Sequence, residues 1–351
     1  MKAIVQSKYG GTEVLQLKEI EKPFPKNDEV LIKVCAVSIN DWDWGLIQGD
    51  FINRLLFGLF KPKKIIVGSD ISGRIESVGK NVKKFKIGEA VYGDLSGTWG
   101  GFAEYACAPE NSVALKPDSM SFEQAAAIPQ AAMLAVQGLI DKGEIASRQI
   151  TTGQNTSGQI TSSQISPGQM ANGQISSRQK LLINGAGGGV GTFALQIAKL
   201  YGLEITGVDS PAKLDMLRSI GFDHVIDYTK EDFTKNGQCY DLILDVKTNR
   251  SLFDYTRCLN PNGIYVTVGG SISRLLQAAI LAPMISRLTK KQICIVALKP
   301  NKDLAYINEL FEAGKLKPVI DGTFTLPEVP EAFRIFSKGE QKGKLVISVV
   351  T

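Results

Sequence analysis

The chain of 351 residues is poor in the side chains that hold transition metals. Its one histidine, His224, lies in the stretch Asp-His-Val-Ile-Asp, where it is predicted to begin a strand and to be structural. The cysteines form no C-x-x-C pair, which argues against a zinc lobe and a disulfide framework. They are Cys35, Cys107, Cys239, Cys258 and Cys294. No metal site is therefore predicted.

Long apolar runs and a strong excess of charge are also missing. The most apolar stretch, Leu275 to Ile285, is too short to span a bilayer and contains Pro283. The first residues, Met-Lys-Ala-Ile-Val-Gln, contain no apolar signal core, so a cytoplasmic location is expected. The net charge of +5 is small and scattered, which argues against nucleic-acid binding. The composition is that of a globular protein, and the length favours two domains.

A strand, a glycine-rich turn and a helix are predicted between residues 180 and 202. The apolar run from Leu181 to Ile183 predicts a buried parallel strand, and apolar residues at helical spacing follow the turn until Gly202. The turn approximates the G-x-G-x-x-G fingerprint, with alanine at its first position. Its glycines let the backbone approach a pyrophosphate. The predicted cofactor contacts in the turn are Ala186, Gly187, Gly188, Gly189, Val190 and Gly191.

Asp209 strengthens the prediction of a dinucleotide site. It ends a second predicted strand, 18 residues after Gly191, where an acidic residue can recognise the adenosine ribose. Ser210 beside it, and Val268 and Gly269 after a later strand, are predicted to contact the same cofactor. The alternative, a glycine turn without a ligand, is weakened because motif, context and acidic residue agree.

Residues 1 to 126 are predicted to be mostly β-structure, with glycine turns typical of a small barrel. A loop from Ser38 to Gly45 contains two tryptophans and two aspartates beside Asn40. It is interpreted either as a functional site or as a capped turn with a tryptophan anchoring the core. Ser121 is predicted to cap a helix, and a second helix is expected from Pro129 to Ile145.

Glutamine recurs every five residues from Gln149 to Gln179. Two interpretations of this insert compete. One is a polar tandem expansion of a surface turn, and the other is a small β-solenoid with an inward Ile/Met column. The first is preferred, and neither suggests chemistry. After the glycine turn, strand and helix signals alternate, which predicts a doubly wound parallel sheet.

The chain resembles the medium-chain dehydrogenase/reductase superfamily, in particular its zinc-free quinone oxidoreductase-like and enone (alkenal) reductase members. The motifs that carry the resemblance are Ser38-Ile-Asn-Asp-Trp-Asp43, Gly68-Ser-Asp-Ile-Ser-Gly73, Gly88-Glu-Ala-Val91, Ala186-Gly-Gly-Gly-Val-Gly191, Gly221-Phe-Asp-His-Val-Ile-Asp-Tyr228 and Gly343-Lys-Leu-Val-Ile347. The resemblance implies an α/β protein with a GroES-like β-barrel catalytic domain (1–127 and 315–351) and a Rossmann domain (128–314) that contains the insert 149–179. It also implies a substrate between the domains and a homodimer.

The same resemblance suggests the chemistry. Zinc-using members have a cysteine where Asn40 stands and Gly-His-Glu where residues 68–70 stand. Without a Lewis acid, reduction of a quinone or an activated C=C bond is easier than alcohol dehydrogenation, because a hydrogen-bond donor suffices for the enolate oxygen. Asn40 is the predicted catalytic residue, and Trp42 and Trp99 are the predicted substrate contacts. The alternatives are an alcohol dehydrogenase or carbonyl reductase of the superfamily, and a nucleotide-binding scaffold without turnover.

The choice of cofactor involves conflicting signals. Relatives that use NADPH hold its 2′-phosphate with a basic residue and a tyrosine at positions that correspond to Lys213 and Tyr228. Asp209 favours NADH, because a carboxylate accepts hydrogen bonds from a free ribose diol and repels a phosphate. The resemblance favours NADPH, with NADH as the alternative and no zinc.

Overall fold

The computed structural model describes residues 1–63, 65–146, 178–270 and 272–349. The chain forms two compact units. The first comprises Met1–Ala131, Pro300–Asn308 and Lys317–Thr351, and the second Ala132–Lys299 and Glu309–Leu316. Compared with the domain boundaries expected from sequence, the first unit extends four residues further, to Ala131, and also contains residues 300–308. Residues 147–177, which include nearly all of the glutamine repeat, lie outside the described residues.

The strands with bounds inside these ranges are numbered in chain order. They are β1 (Lys2–Gln6), β2 (Leu15–Glu19), β3 (Glu29–Ser38), β4 (Asp70–Val78), β5 (Ala90–Asp94), β6 (Tyr105–Pro109), β7 (Ala114–Leu115), β8 (Lys180–Asn184), β9 (Glu204–Asp209), β10 (His224–Asp227), β11 (Tyr240–Asp245), β12 (Leu259–Thr267), β13 (Gln292–Ile295), β14 (Ile320–Thr325) and β15 (Lys344–Ser348).

The α-helices are numbered in the same way. They are α1 (Asp41–Gln48), α2 (Phe51–Phe57), α3 (Phe122–Ala126), α4 (Pro129–Val136), α5 (Gly189–Leu200), α6 (Leu214–Ile220), α7 (Leu252–Arg257), α8 (Ile272–Thr289), α9 (Leu304–Glu312) and α10 (Val329–Ser337).

The first unit is built on a mixed sheet in the order β14-β15-β3-β4-β5-β7, with β6 also paired to β3. The last strand, β15, runs antiparallel to β3 and places Val346 opposite Ser38. A cluster of aromatic rings lies within the mainly aliphatic core of this unit. Phe333 lies at its centre, with ring centroids 5.8 Å from Trp44 and 5.5 Å from Phe102.

The second unit contains a parallel sheet in the order β10-β9-β8-β11-β12-β13. Numbered from β8, this is the order 3-2-1-4-5-6, in which the direction of winding reverses between β8 and β11. The predicted doubly wound parallel sheet is confirmed. Ligands of such sheets bind at the carboxyl ends of the strands near this reversal, which is where the glycine turn follows β8.

The prediction of a loop from Ser38 to Gly45 is wrong in part, because residues 41 to 48 form helix α1. Asp43 accepts a hydrogen bond from the backbone N–H of Asn40 at 3.1 Å, which closes the first turn, and Gly49 ends the helix in the left-handed conformation. The helix expected from Pro129 to Ile145 is α-helical only as far as Val136. It continues in wider π-type turns from Gln137 to Lys142.

The capped helix predicted at Ser121 is confirmed. The hydroxyl group of Ser121 accepts the Gln124 N–H at 3.1 Å, and the Gln124 side chain accepts the Ser121 N–H at 2.9 Å. His224 begins β10, as predicted, and its ring lies 3.0 Å from the Glu204 carboxylate on the adjacent strand.

Replacement of Phe333 by alanine tests how much the aromatic cluster stabilises the first unit. We expect Phe333→Ala to lower the free energy of unfolding of the first unit by about 3–5 kcal/mol, because it leaves a cavity among rigid aromatic neighbours. All three tryptophans (Trp42, Trp44 and Trp99) lie in that unit, so urea denaturation followed by tryptophan fluorescence reports on it. Phe24→Ala is the control, since Phe24 is 89% exposed. Equal losses for both variants would contradict the assignment.

Candidate active site

A cluster of polar side chains is buried in the first unit, at one end of its sheet. We call it the buried polar cluster, and its members are Asn40, Asp43, Ser69, Asp70, Asp94 and Lys344. Asn40 lies between β3 and α1, Asp70 begins β4, and Asp94, at the end of β5, pairs with Asp70 across the sheet. Lys344 begins β15. The sheet therefore brings together residues that are about 300 positions apart in the sequence.

The Asn40 carboxamide is held on both sides. Lys344 donates from Nζ to Asn40 Oδ1 at 2.5 Å and to the backbone carbonyl of Ile39 at 3.0 Å. Asn40 Nδ2 donates to Ser69 Oγ at 3.2 Å. An ammonium group can only donate, so the carboxamide oxygen must face Lys344 and the nitrogen must face the other way. The orientation of the amide therefore follows from the chemistry of its neighbours.

The carboxylate of Asp43 fixes the loops around Asn40. Its two oxygens accept the backbone N–H groups of Asn40 and Gly68, each at 3.1 Å, and Ser69 Oγ lies 3.5 Å away. The carboxylate of Asp70 accepts the backbone N–H of Gln130 at 3.1 Å and lies 3.9 Å from Lys344 Nζ. These bonds connect α1, β4 and β15 around one amide group.

Burial shifts the pKa values of the charged members. It raises the pKa of Asp43 to about 7, against the opposing effect of the N–H groups of Asn40 and Gly68. Burial also raises the pKa of Asp70 and lowers that of Lys344, and their mutual attraction opposes both shifts. The pKa of Asp94 is raised by burial as well, although Ser96 donates hydrogen bonds to it.

The two predicted substrate contacts, Trp42 and Trp99, lie side by side. Their ring centroids are 6.3 Å apart in an edge-to-face arrangement, and Phe57 approaches Trp99 at 5.1 Å. Trp42 is 43% exposed, whereas Trp99 is buried and has a φ of +54°. The indole of Trp42 is therefore accessible, and it packs against the buried ring of Trp99.

The glycine turn of the second unit has the geometry of a phosphate-binding loop. Gly185 has a φ of +88°, and a Cβ on Gly191 would lie 2.4 Å from the carbonyl oxygen of Ala186, so only glycine fits there. The first bond of α5 runs from the Thr192 N–H to the Gly188 carbonyl. The N–H groups of residues 189–191 precede it, and they form the positive end of the helix.

Asp209, Lys213 and Tyr228 are brought together beside this turn. Asp209 accepts the backbone N–H of Gly187 at 2.7 Å and that of Ser210 at 2.8 Å. Lys213 Nζ lies 3.8 Å from Asp209, and both side chains are buried. Tyr228 donates its backbone N–H to the Asp209 carbonyl and exposes 48% of its surface. Asp209 and Lys213, whose charges favour different cofactors in the sequence analysis, therefore form an ion pair.

Val268 and Gly269 follow β12 at the same edge of the sheet. The carbonyl of Gly269 accepts hydrogen bonds from Thr248 and Thr267, and the Val268 N–H is bonded to the Asp245 carbonyl. Their conformation is therefore fixed by hydrogen bonds to the ends of two neighbouring strands.

Sequence reasoning missed the role of Lys344, which was seen only as part of a family motif. The signal that would have found it is a lysine at the first position of a strand that is otherwise apolar.

Within the described residues, no group of three or more His, Cys, Asp and Glu side chains could hold a metal ion. Nor is any helix in the described ranges both long and apolar enough to cross a membrane.

This fold and these two sites define a dinucleotide-binding α/β protein that carries a second, β-rich unit. Comparison with known proteins agrees. The family described as "Alcohol dehydrogenase GroES-like domain" matches residues 26–118, and the one described as "Zinc-binding dehydrogenase" matches residues 220–347. The chain belongs to the medium-chain dehydrogenase/reductase superfamily, and it is an oxidoreductase with a GroES-like and a Rossmann domain, as the sequence predicted.

Individual relatives show which members of the superfamily the chain is similar to. The chain is 32% identical to a 2-methylene-furan-3-one reductase of Solanum lycopersicum, covering 99% of this chain and 79% of the relative. It is 31% identical, with the same coverage, to a chloroplastic NADPH-dependent alkenal/one oxidoreductase of Arabidopsis thaliana. Among solved structures, the quinone oxidoreductase of Coxiella burnetii has a TM-score of 0.77 at 26% identity, covering 100% of this chain and 99% of that one.

The family description mentions zinc, but the buried polar cluster does not fit that ion. Zinc prefers sulfur and nitrogen ligands, and the corresponding residues here are Asn40, Ser69 and Asp70. The Lys344 ammonium group lies against the oxygens of Asn40 and Asp70, so a second cation placed there would be repelled. A lysine side chain supplies the positive charge of this cluster.

The raised pKa of Asp43 predicts a pH dependence of stability. An aspartate whose pKa rises on folding binds more protons in the folded state, so its contribution to stability is present at low pH and is lost as the pH rises from about 4 to about 7. We expect the free energy of unfolding of Asp43→Asn, relative to the parent, to increase over that interval by up to about 1.4 kcal/mol per pH unit. Urea denaturation at several pH values measures the difference.

The control for this experiment is Asp118→Asn, which changes an exposed aspartate of the same unit. The change of its difference from the parent over the same interval is the reference for the change measured with Asp43→Asn, which we expect to be the larger of the two. If Asp43→Asn behaved in the same way as this control, the pKa of Asp43 would not be raised by burial and the assignment would be wrong.

Proposed function

We propose that the chain uses NADPH to reduce a quinone or the C=C bond of an α,β-unsaturated carbonyl compound, and that it does so without zinc. The observation that carries the proposal is the Asn40 carboxamide, whose oxygen is bonded to Lys344. One hydrogen of its nitrogen is donated to Ser69, and the second is the donor we assign to the substrate oxygen.

Asn40 supplies the hydrogen-bond donor that conjugate reduction needs. A nicotinamide bound to the second unit would supply the hydride for conjugate reduction. The group that Asn40 would have to stabilise is the carbonyl oxygen of the enone or quinone, where negative charge would develop. A fixed donor aimed at that oxygen stabilises the enolate, and its removal typically costs about 2.7–4 kcal/mol of barrier. The Lys344 charge at Oδ1 polarises the amide and strengthens the donor. A solvent proton then completes the reduction at the α-carbon or the quinone oxygen.

The cofactor is assigned to the second unit. The N–H groups at the start of α5 and the close approach allowed by Gly188 suit a pyrophosphate. Lys213, with Tyr228 nearby, supports a 2′-phosphate, and the name of the Arabidopsis relative supports NADPH. Asp209 is the feature that favours NADH, and its charge is partly balanced by Lys213 at 3.8 Å.

The substrate class is supported by the relatives and by the aromatic pair. The relatives named above act on furanones, alkenals and enones, and quinones according to their names. Trp42 offers an exposed indole that suits the flat conjugated face of such compounds. The cytoplasmic location and the homodimer remain predictions.

Substitution of Gly188 separates cofactor binding from folding. A Cβ at this position would have only the Gly185 oxygen nearby, at 3.7 Å, and the backbone is extended, so Gly188→Val should leave the melting temperature unchanged. The added side chain fills the space assigned to the pyrophosphate. We expect the Kd for NADPH, measured by calorimetry, to rise at least about thirty-fold, the equivalent of losing about 2 kcal/mol of binding.

Gly191→Val is the matched variant. It is expected to lower the melting temperature, because its Cβ meets the backbone of Ala186 at 2.4 Å. If Gly188→Val bound NADPH as tightly as the parent, the turn would not be the phosphate site.

Turnover by the chelator-treated protein tests the proposed reaction. We expect oxidation of NADPH with 2-alkenals, cyclic enones and quinones, and slower oxidation of NADH. Asn40→Ala should lower kcat/KM by about 10²–10³ because it removes the donor for the enolate oxygen, while the Kd for NADPH stays unchanged. Asn81→Ala, an exposed asparagine of the same unit, is the control.

Two outcomes would contradict the proposal. Activity on alcohols that appears only after zinc is added would show that the role assigned to Asn40 is wrong. Tight NADPH binding without turnover of any acceptor would favour the scaffold interpretation instead.

A further inference from the structure

Helix α8 has an apolar face on the inside and another on the outside. It runs over 18 residues, from Ile272 to Thr289, in the second unit. On the inner side, Ala278 and Ile285 are buried, and Leu281 packs against the same core. This side attaches the helix to the second unit and accounts for only part of its apolar residues.

The outer side carries a row of four large apolar residues at intervals of four. We call this row the outer stripe. It consists of Leu276 (57% exposed), Ile280 (74%), Met284 (45%) and Leu288 (77%). Residues four apart lie above one another on a helix, so these side chains form one continuous ridge. A helix that is apolar on all sides is normally buried, and an exposed apolar patch of this kind marks an interaction surface.

The stretch of chain that contains the outer stripe carries charge of one sign only. No Asp or Glu occurs anywhere from Tyr255 to Lys302. The same stretch contains seven basic residues: Arg257, Arg274, Arg287, Lys290, Lys291, Lys299 and Lys302. Arg287 and Lys290 are exposed at the carboxyl end of α8, next to Leu288. Lys291 instead forms a hydrogen bond within the protein, since its Nζ donates to the Thr256 carbonyl at 2.6 Å.

We propose that α8 docks on the surface of an anionic lipid bilayer, with its axis in the plane of the membrane and the outer stripe among the acyl chains. An apolar helix face bordered by basic residues has the composition of interfacial helices. Because residues 255–302 contain no acidic residue, this stretch itself contributes attraction and no repulsion toward an anionic surface. A second copy of the chain fits less well, because two outer stripes in contact would bring the same basic residues together.

The proposal goes beyond the reductase activity and does not rest on it. The test is sedimentation of the full chain with vesicles of phosphatidylcholine alone or mixed with phosphatidylglycerol. We expect binding to the mixed vesicles only, weakened by added salt because exposed charges are screened. Ile280→Gln combined with Leu288→Gln should lower partitioning at least ten-fold, and Arg287→Gln should lower it about five-fold.

Matched controls change equivalent groups elsewhere. Ile87→Gln alters an isoleucine that is 68% exposed in the first unit, and Lys338→Gln alters an exposed lysine there. Both should bind like the parent, and all variants should keep the parent's melting temperature. Arg287→Gln preserves the test if the double variant is unstable. Equal binding by all variants, or equal binding to neutral vesicles, overturns the proposal. Loss of a dimer in the double variant without loss of vesicle binding would assign the outer stripe to a second copy.

Discussion

The buried ammonium group of Lys344 is the constraint on which the first unit depends. It is 4% exposed, and a charge taken out of water this far is tolerated only when partners surround it. Its partners are the Ile39 carbonyl, the Asn40 oxygen and the Asp70 carboxylate. All three come from the first part of the chain. Pairing of β15 with β3 is therefore needed for the site as well as for the sheet.

The same cation determines which way the Asn40 amide faces. An asparagine between neutral partners could turn its oxygen or its nitrogen toward them. Next to an ammonium group only the oxygen can face inward, so the nitrogen is available as a donor on the other side. In the reaction we propose, Lys344 is thus a positioning residue that acts through Asn40. It also compensates part of the negative charge of three buried carboxylates, whose pKa values burial raises.

The sequence predicted the parts of this protein that depend on local pattern. The order of strands and helices after Gly185, the capped helix at Ser121 and the position of Asp209 all follow from periodicity, capping chemistry and a known motif. It did not predict α1, because two tryptophans, two aspartates and a glycine do not indicate a helix, and the stabilising bond from Asn40 to Asp43 becomes visible only in three dimensions. Nor did it predict Lys344, whose role depends on pairing between distant strands.

The pair formed by Asp209 and Lys213 shows why cofactor choice resists a decision from residue types. Asp209 already accepts two backbone N–H groups, one on each carboxylate oxygen, and each oxygen keeps a lone pair that is available to a ribose diol. A 2′-phosphate would be repelled by the same carboxylate unless Lys213 stayed between them, at the cost of weakening the ion pair. The diol of NADH would therefore add to the interactions that the protein makes without a cofactor, whereas the phosphate of NADPH would disturb one of them. Selectivity depends on how far Lys213 offsets that repulsion, which is set by the distances within the pair and not by the presence of an acidic or a basic residue.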